Sequence, residues 1–312
     1  MTLWGAINYS IFLMFSASIF QIKTRDEVTL DGIFIKPNRK SSRAVLFTHG
    51  LGGNFYGWFR VFSILSEATT KEGVTFASFN NRGHDAVSKI KNGKKRTLAG
   101  AGFENFKESV YDIEAQIHFL RQQGIREIYL VGHSTGANKA LYYMYQTRDR
   151  RVRGLALLGP LSDFVGEKMA LGKKYNSLLR EIKTITENKN KSSLPLSPEI
   201  FTRRGLAPRI MSAKRYLSLY SAGSPEDVFP YSDPKARWKE LRSVKIPLLV
   251  VIGEKDQYLD RKAKDLTDTF AKNAISAKSF AGIVIKNADH GFYKKEKELA
   301  KTIVDWIKKT SE

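Results

Sequence analysis

The chain has 312 residues, with 52 Lys and Arg against 31 Asp and Glu, a formal net charge of +21. Hydrophobic residues make up 42% and aromatics 12%, enough for a large core, so disorder over most of the length is excluded. The absence of cysteine excludes a disulfide scaffold, a thiolate metal site and a cysteine nucleophile.

Residues 1–18 form an apolar amino-terminal segment, part of a stretch over 3–20 without a charged side chain. Ser16 and Ser18 stand where signal cleavage wants small residues. No Lys or Arg precedes them, however, and Asn8, Tyr9 and Ser10 interrupt the run. The length is borderline for a membrane span. The reading adopted is a helix and first strand packed on the fold, which favours a cytoplasmic location; export or membrane association through residues 3–20 is the competing one.

Ile19, Phe20 and Ile22, a turn at Asp31-Gly32, and Ile33, Phe34 and Ile35 predict an antiparallel hairpin. Buried-strand runs follow at 44–47, 74–79, 128–131, 155–158, 248–252 and 280–285. Helical patterns over 55–70, 103–123 and 138–146 separate most of them. The alternation predicts an α/β fold, a mostly parallel central sheet flanked by helices. Lys89, Lys91, Lys94, Lys95 and Arg96 read as a solvated loop, because the charge excess is otherwise spread over both halves and no nucleic-acid module accompanies it; nucleic acid is not expected as a partner. Residues 162–243 carry helix-like pieces and six prolines but no strand, which predicts a helical lid inserted between core parts 19–161 and 244–312.

The sharpest local signal is Gly132-His-Ser134-Thr-Gly136, a G-x-S-x-G directly after a strand and before a helix. Glycines two residues either side let the chain turn so tightly that the hydroxyl projects above the sheet edge. A hydroxyl needs a base, and only five histidines exist. His118 lies within a helical pattern, His133 would point away from Ser134, and His84 suits a supporting role. His49 belongs to a glycine-rich turn. His290, after the last strand, is left as the base. Asp256, in the loop after strand 248–252, is the best candidate to orient it, with Glu254, Asp260 and Asp289 nearby as alternatives. The turn His49-Gly50-Leu51-Gly52-Gly53 points to an oxyanion hole, and the backbone N–H groups of Leu51 and Thr135 are its expected donors, supported by His49, Gly50, Gly132 and Gly136. Neither phosphate-cradling glycine pattern is present.

These motifs make the chain resemble the α/β-hydrolase superfamily from about residue 19 to 307. The resemblance rests on His49-Gly50, Gly132-His-Ser-Thr-Gly136, Gly253-Glu-Lys-Asp256 and Asp289-His290-Gly291. Asn80-Asn-Arg82-Gly83-His84 is similar to the family's Arg-Gly turn, with Asn where an acid often precedes the Arg, which puts a structural contact there in doubt. The segments Met211 to Leu219 and Pro225 to Ser232 resemble the lid of fusarinine-type siderophore esterases, and the front half resembles bacterial acyl and feruloyl esterases. The resemblance implies a Ser134–His290–Asp256 acyl-enzyme mechanism on a small-molecule carboxylic ester, without metal or organic cofactor. The net positive field favours an anionic one. The same triad on an amide, thioester or carbon–carbon bond, and a non-catalytic ligand-binding protein on this scaffold, are the alternatives. Arg203, Arg204, Arg209, Tyr216 and Tyr220 read as solvated or packed lid residues.

Overall fold

The computed structural model describes residues 16–188, 191–196 and 210–311. Eight strands form one sheet in the order β1 (Ser16–Lys23), β2 (Thr29–Lys36), β4 (Thr75–Phe79), β3 (Arg43–Thr48), β7 (Glu127–His133), β8 (Val152–Leu158), β9 (Leu248–Gly253), β10 (Phe280–Ile285). The β1–β2 and β2–β4 pairs are antiparallel and every other pair is parallel. The strands read as apolar runs because both faces are covered.

Successive strand residues divide between two cores. Ala44 and Leu46 of β3, Ile128 and Leu130 of β7, and Leu248 and Val250 of β9 join a cluster with helices α2 (Ser109–Gln122), α3 (Thr135–Thr147) and α8 (Ala263–Asn273). Val45, Phe47, Tyr129, Val131, Leu249 and Val251 face the opposite way, onto α1 (Phe59–Lys71) and α9 (Glu296–Ser311). The period-two partition is the pleat of the sheet expressed in packing. Because β3 has β4 on one side and β7 on the other, the strand order reverses at β3. The crevice outside its carboxyl end is where such sheets bind ligands.

The segment between β8 and β9 is helical where described: α4 (Asp163–Leu171), α5 (Tyr175–Glu187), α6 (Ala213–Tyr220) and the short α7 (Lys239–Arg242). Tyr216, Leu219 and Tyr220 of α6 and Phe229 join the core that contains α3. Beneath them lies a fully buried ionic network. Arg215 Nη2 donates to Glu104 Oε1 at 2.9 Å, Arg215 pairs with Glu226, and Lys139 Nζ donates to Glu104 Oε2 at 2.7 Å. Two cations against two carboxylates make the set neutral, which is what burial demands.

Several expectations are corrected. The first hairpin turns at Thr24–Val28, where Val28 N donates to Thr24 Oγ1 at 2.9 Å and Glu27 takes a positive φ of 66°. Asp31 and Gly32 instead lie within β2, and Gly32 is small because a Cβ there would meet the Phe79 ring at 2.0 Å. The boundary at 18/19 falls inside β1, which begins at Ser16; residues 1–15 lie outside the described residues. The basic run is a two-stranded hairpin, β5 (Ser88–Asn92) and β6 (Lys95–Ala99), tightly turned at Gly93 with φ 58°. Arg203, Arg204 and Arg209 lie outside the described residues. No helix among the described residues is long and apolar enough to cross a membrane.

Candidate active site

The expected site residues come from the carboxyl ends of β3, β7, β9 and β10. Ser134 follows β7 with φ 55° and ψ −128°, a conformation L-residues avoid, and α3 starts at the next residue. The strain is held by close packing. A Cβ at Gly136 would meet Thr48 O at 2.2 Å, and one at Gly50 would meet Ser134 Cβ at 2.9 Å. The start of α3 is thereby pressed against the end of β3.

The turn after β3 closes through Gly53 N donating to Gly50 O at 3.1 Å, with Gly52 at φ 64°. His49 is buried beneath it. Asn81 N donates to His49 Nε2 at 3.2 Å, so Nδ1 carries the proton and donates to Gly50 O at 2.9 Å. Burial, reinforced by the Lys139 charge, pushes this imidazole down to about 3. Neither Leu51 N–H nor Thr135 N–H has a hydrogen-bond acceptor among the described residues.

His290 and Asp256 meet directly: Nδ1 lies 2.7 Å from Oδ2. Asp256 is 5% exposed, and its Oδ1 accepts from Tyr258 N at 3.0 Å. The three alternative acids are engaged elsewhere. Glu254 accepts from Asn287 N, Asp260 pairs with Arg261, and Asp289 accepts from Tyr293 N. The imidazole lies against Gly159, where a Cβ would come within 3.0 Å of Cε1, and edge-on to Tyr258.

Ser134 and His290 line one cavity of about 440 Å³ together with His49, Leu51 and His133. No hydrogen bond joins Ser134 Oγ to His290 among the described residues. Catalytic hydrogen bonds are commonly long before substrate arrives.

Sequence reasoning missed the part His133 plays. Its Nε2 donates to the His290 carbonyl oxygen at 2.8 Å, and its ring stacks on Trp58 at 4.1 Å. Burial and the neighbouring His290 push His133 down to about 3. Asp163, Tyr258 and Tyr220 also line the cavity. Tyr220, expected as a solvated or packed lid residue, is packed in the core as well as lining the cavity. The Asn expected to put a contact in doubt keeps one, since Asn81 Oδ1 accepts from Lys139 Nζ at 3.0 Å and from Gly83 N at 3.0 Å.

A family model described as "Protein of unknown function (DUF1749)" matches residues 90–310. The chain belongs to the DUF1749 family. No curated protein matches the sequence. Among solved structures, this DUF1749 member is similar to DcsB in complex with its substrate analogue, with a TM-score of 0.70 at 14% identity over 95% of this chain and 99% of that one. The siderophore hydrolase EstB from Aspergillus fumigatus gives 0.68 at 15% identity, over 94% and 98%. Est1E from Butyrivibrio proteoclasticus with bound ferulic acid gives 0.62 at 16%, over 93% and 98%. Identities this low speak to fold, and the fold is that of the α/β-hydrolases.

Proposed function

We propose that this protein is a serine hydrolase of carboxylic esters. The observation that carries the reading is the His290 Nδ1 to Asp256 Oδ2 contact at 2.7 Å, its imidazole lining the same cavity as a serine held at positive φ. In this mechanism Ser134 Oγ attacks the acyl carbon while His290 Nε2 takes its proton. Asp256 holds the tautomer with Nδ1 protonated and stabilises the imidazolium. The N–H groups of Leu51 and Thr135 receive the oxyanion, and losing one such donor typically costs about 3 kcal/mol of transition-state stabilisation. The imidazolium returns the proton to the leaving alcohol, and water repeats the sequence on the acyl-enzyme.

The siderophore hydrolase EstB and the ferulate-bound Est1E, which share the fold, support an organic ester of moderate size. The helical segment between β8 and β9 acts in this reading as a lid, since it contributes Asp163, Gly166 and Tyr220 to the cavity wall. A fluorophosphonate probe should label the native protein and leave Ser134→Ala unlabelled, with p-nitrophenyl ester turnover lost in parallel. Undiminished labelling of that variant would falsify the assignment.

A further inference from the structure

Asp163 opens α4 and lines the cavity that holds Ser134. Its carboxyl makes no ion pair and no hydrogen bond to another residue among the described residues. The acids around it are all engaged. Glu226 pairs with Arg215 and accepts from Ser218, Asp227 accepts from Ser162 Oγ and Gly223 N, and Glu167 accepts from the Tyr216 hydroxyl. Lys139 and Arg215 are already matched by Glu104 and Glu226, so among the described residues neither is left over to pair with Asp163. The chain as a whole carries +21, which favours anions at long range, yet no Lys or Arg lines the cavity among the described residues. Trp58, Tyr220 and Tyr258 add aromatic rings to the same walls, and such rings attract ammonium groups.

We propose that Asp163 is a specificity-determining residue, forming with these aromatic walls a subsite for an ammonium group on the ester substrate. The proposal rests on the hydrolase reading of the cavity and names its substrate class. Glu226 and Asp227 from the loop after α6, and burial above all, push the Asp163 carboxyl up to about 8; Arg215 of α6 opposes them. Tyr220 and Tyr231 also feel the Asp163 charge. The empty subsite is therefore protonated at neutral pH, and an entering ammonium displaces that proton into solvent. Cation binding strengthens as pH rises toward 8 and levels off above it.

The test compares isosteric esters: the p-nitrophenyl ester of a trimethylammonio-butanoate with its tert-butyl isostere, and acetylcholine with its neutral carbon isostere. Each is measured with wild type and Asp163→Asn across neutral to alkaline pH. The ratio of cationic to neutral kcat/KM cancels the general-base ionisation common to both. In wild type it should reach about tenfold or more for one pair, rise with pH toward 8, and fall near unity in Asp163→Asn. Asp163→Ser, read the same way, covers the case of an Asn variant that fails to fold. A ratio at or below unity for both pairs, or one that survives both substitutions, overturns the proposal. If no ester is hydrolysed and Ser134 resists the phosphonate, the hydrolase reading fails. Calorimetric titration with butyltrimethylammonium then decides the subsite: binding lost in Asp163→Asn supports it, and no binding to wild type overturns it.

Discussion

His133 Nε2 donates to the carbonyl oxygen of His290 at 2.8 Å, tying the residue before the candidate nucleophile to the backbone of the candidate base. The bond requires a proton on Nε2, and burial keeps the ring otherwise neutral. It spans the sheet from the end of β7 to the loop after β10, so it fixes how far the His290 imidazole stands from Ser134. His133→Phe keeps a ring to stack on Trp58 and removes the donor. Turnover of a small p-nitrophenyl ester should fall about 10- to 100-fold in kcat, the usual consequence of a misplacement near 1 Å. Chemical denaturation checks that the fold persists, and an unchanged kcat would remove His133 from the positioning machinery.

The buried network under α6 makes a prediction about stability. Arg215 is the link between the insertion and the core, because it holds Glu226 on one side and Glu104 and the Ala101 carbonyl on the other. Arg215→Ala leaves Glu104 its Lys139 partner but strands the Glu226 carboxylate without a cation or solvent, and breaking a buried pair in this way typically costs about 3–5 kcal/mol. Urea unfolding should show that loss in a single transition, since the apolar residues of α6 belong to the same core as α3. A separate early transition of the insertion would contradict the shared core.

His49 makes a prediction about pH. Unfolded, its imidazole takes up a proton near 6.5; folded, it resists protonation until about 3, because it is buried and accepts from Asn81 N. The stability it contributes is fully present above 6.5 and is lost as pH falls from 6.5 toward 3, by about 1 kcal/mol per pH unit. His49→Asn removes the titration. Its stability should therefore fall less steeply than that of wild type on acidification below 6.5, whatever its absolute value. Parallel curves would show that His49 is protonated in the fold without penalty.

The strands of the parallel sheet were legible because burial on both faces leaves apolar runs that few other structures produce. The tight turn at Ser134 was legible because its glycines meet backbone: a Cβ at Gly132 would meet Gly136 O, and one at Gly136 would meet Thr48 O. Other features depend on tertiary context. The first turn carries no glycine, and the Thr24 side chain that closes it resembles any other threonine. The β5–β6 hairpin buries Ile90 and Ala99 and exposes its lysines, so its alternation is faint, although Asn92-Gly93 was a readable turn signal. The Asp256–His290 pairing could be narrowed but not decided, since four acids lie within reach in sequence and only the fold shows which are occupied. Glu104 and Arg215 lie 111 residues apart, and nothing local marks either as a buried partner.

Asp163 reverses the sign seen for His49. Its folded carboxyl holds its proton up to about 8, whereas the unfolded one releases it near 3.8. The folded state therefore binds more protons between those values, and the stability this group contributes, fully present at the acid end, is lost as pH rises from 3.8 to about 8. Asn cannot ionise and nearly matches the shape of a protonated Asp. Asp163→Asn should thus gain on wild type by about 1 kcal/mol for each pH unit above 3.8, until the curves run parallel beyond about 8. Urea unfolding of both proteins from acid to mildly alkaline pH measures the gap, with the variant the more stable at the alkaline end. A gap independent of pH would mean that the Asp163 carboxyl ionises at its ordinary value, leaving the cavity negatively charged at neutral pH.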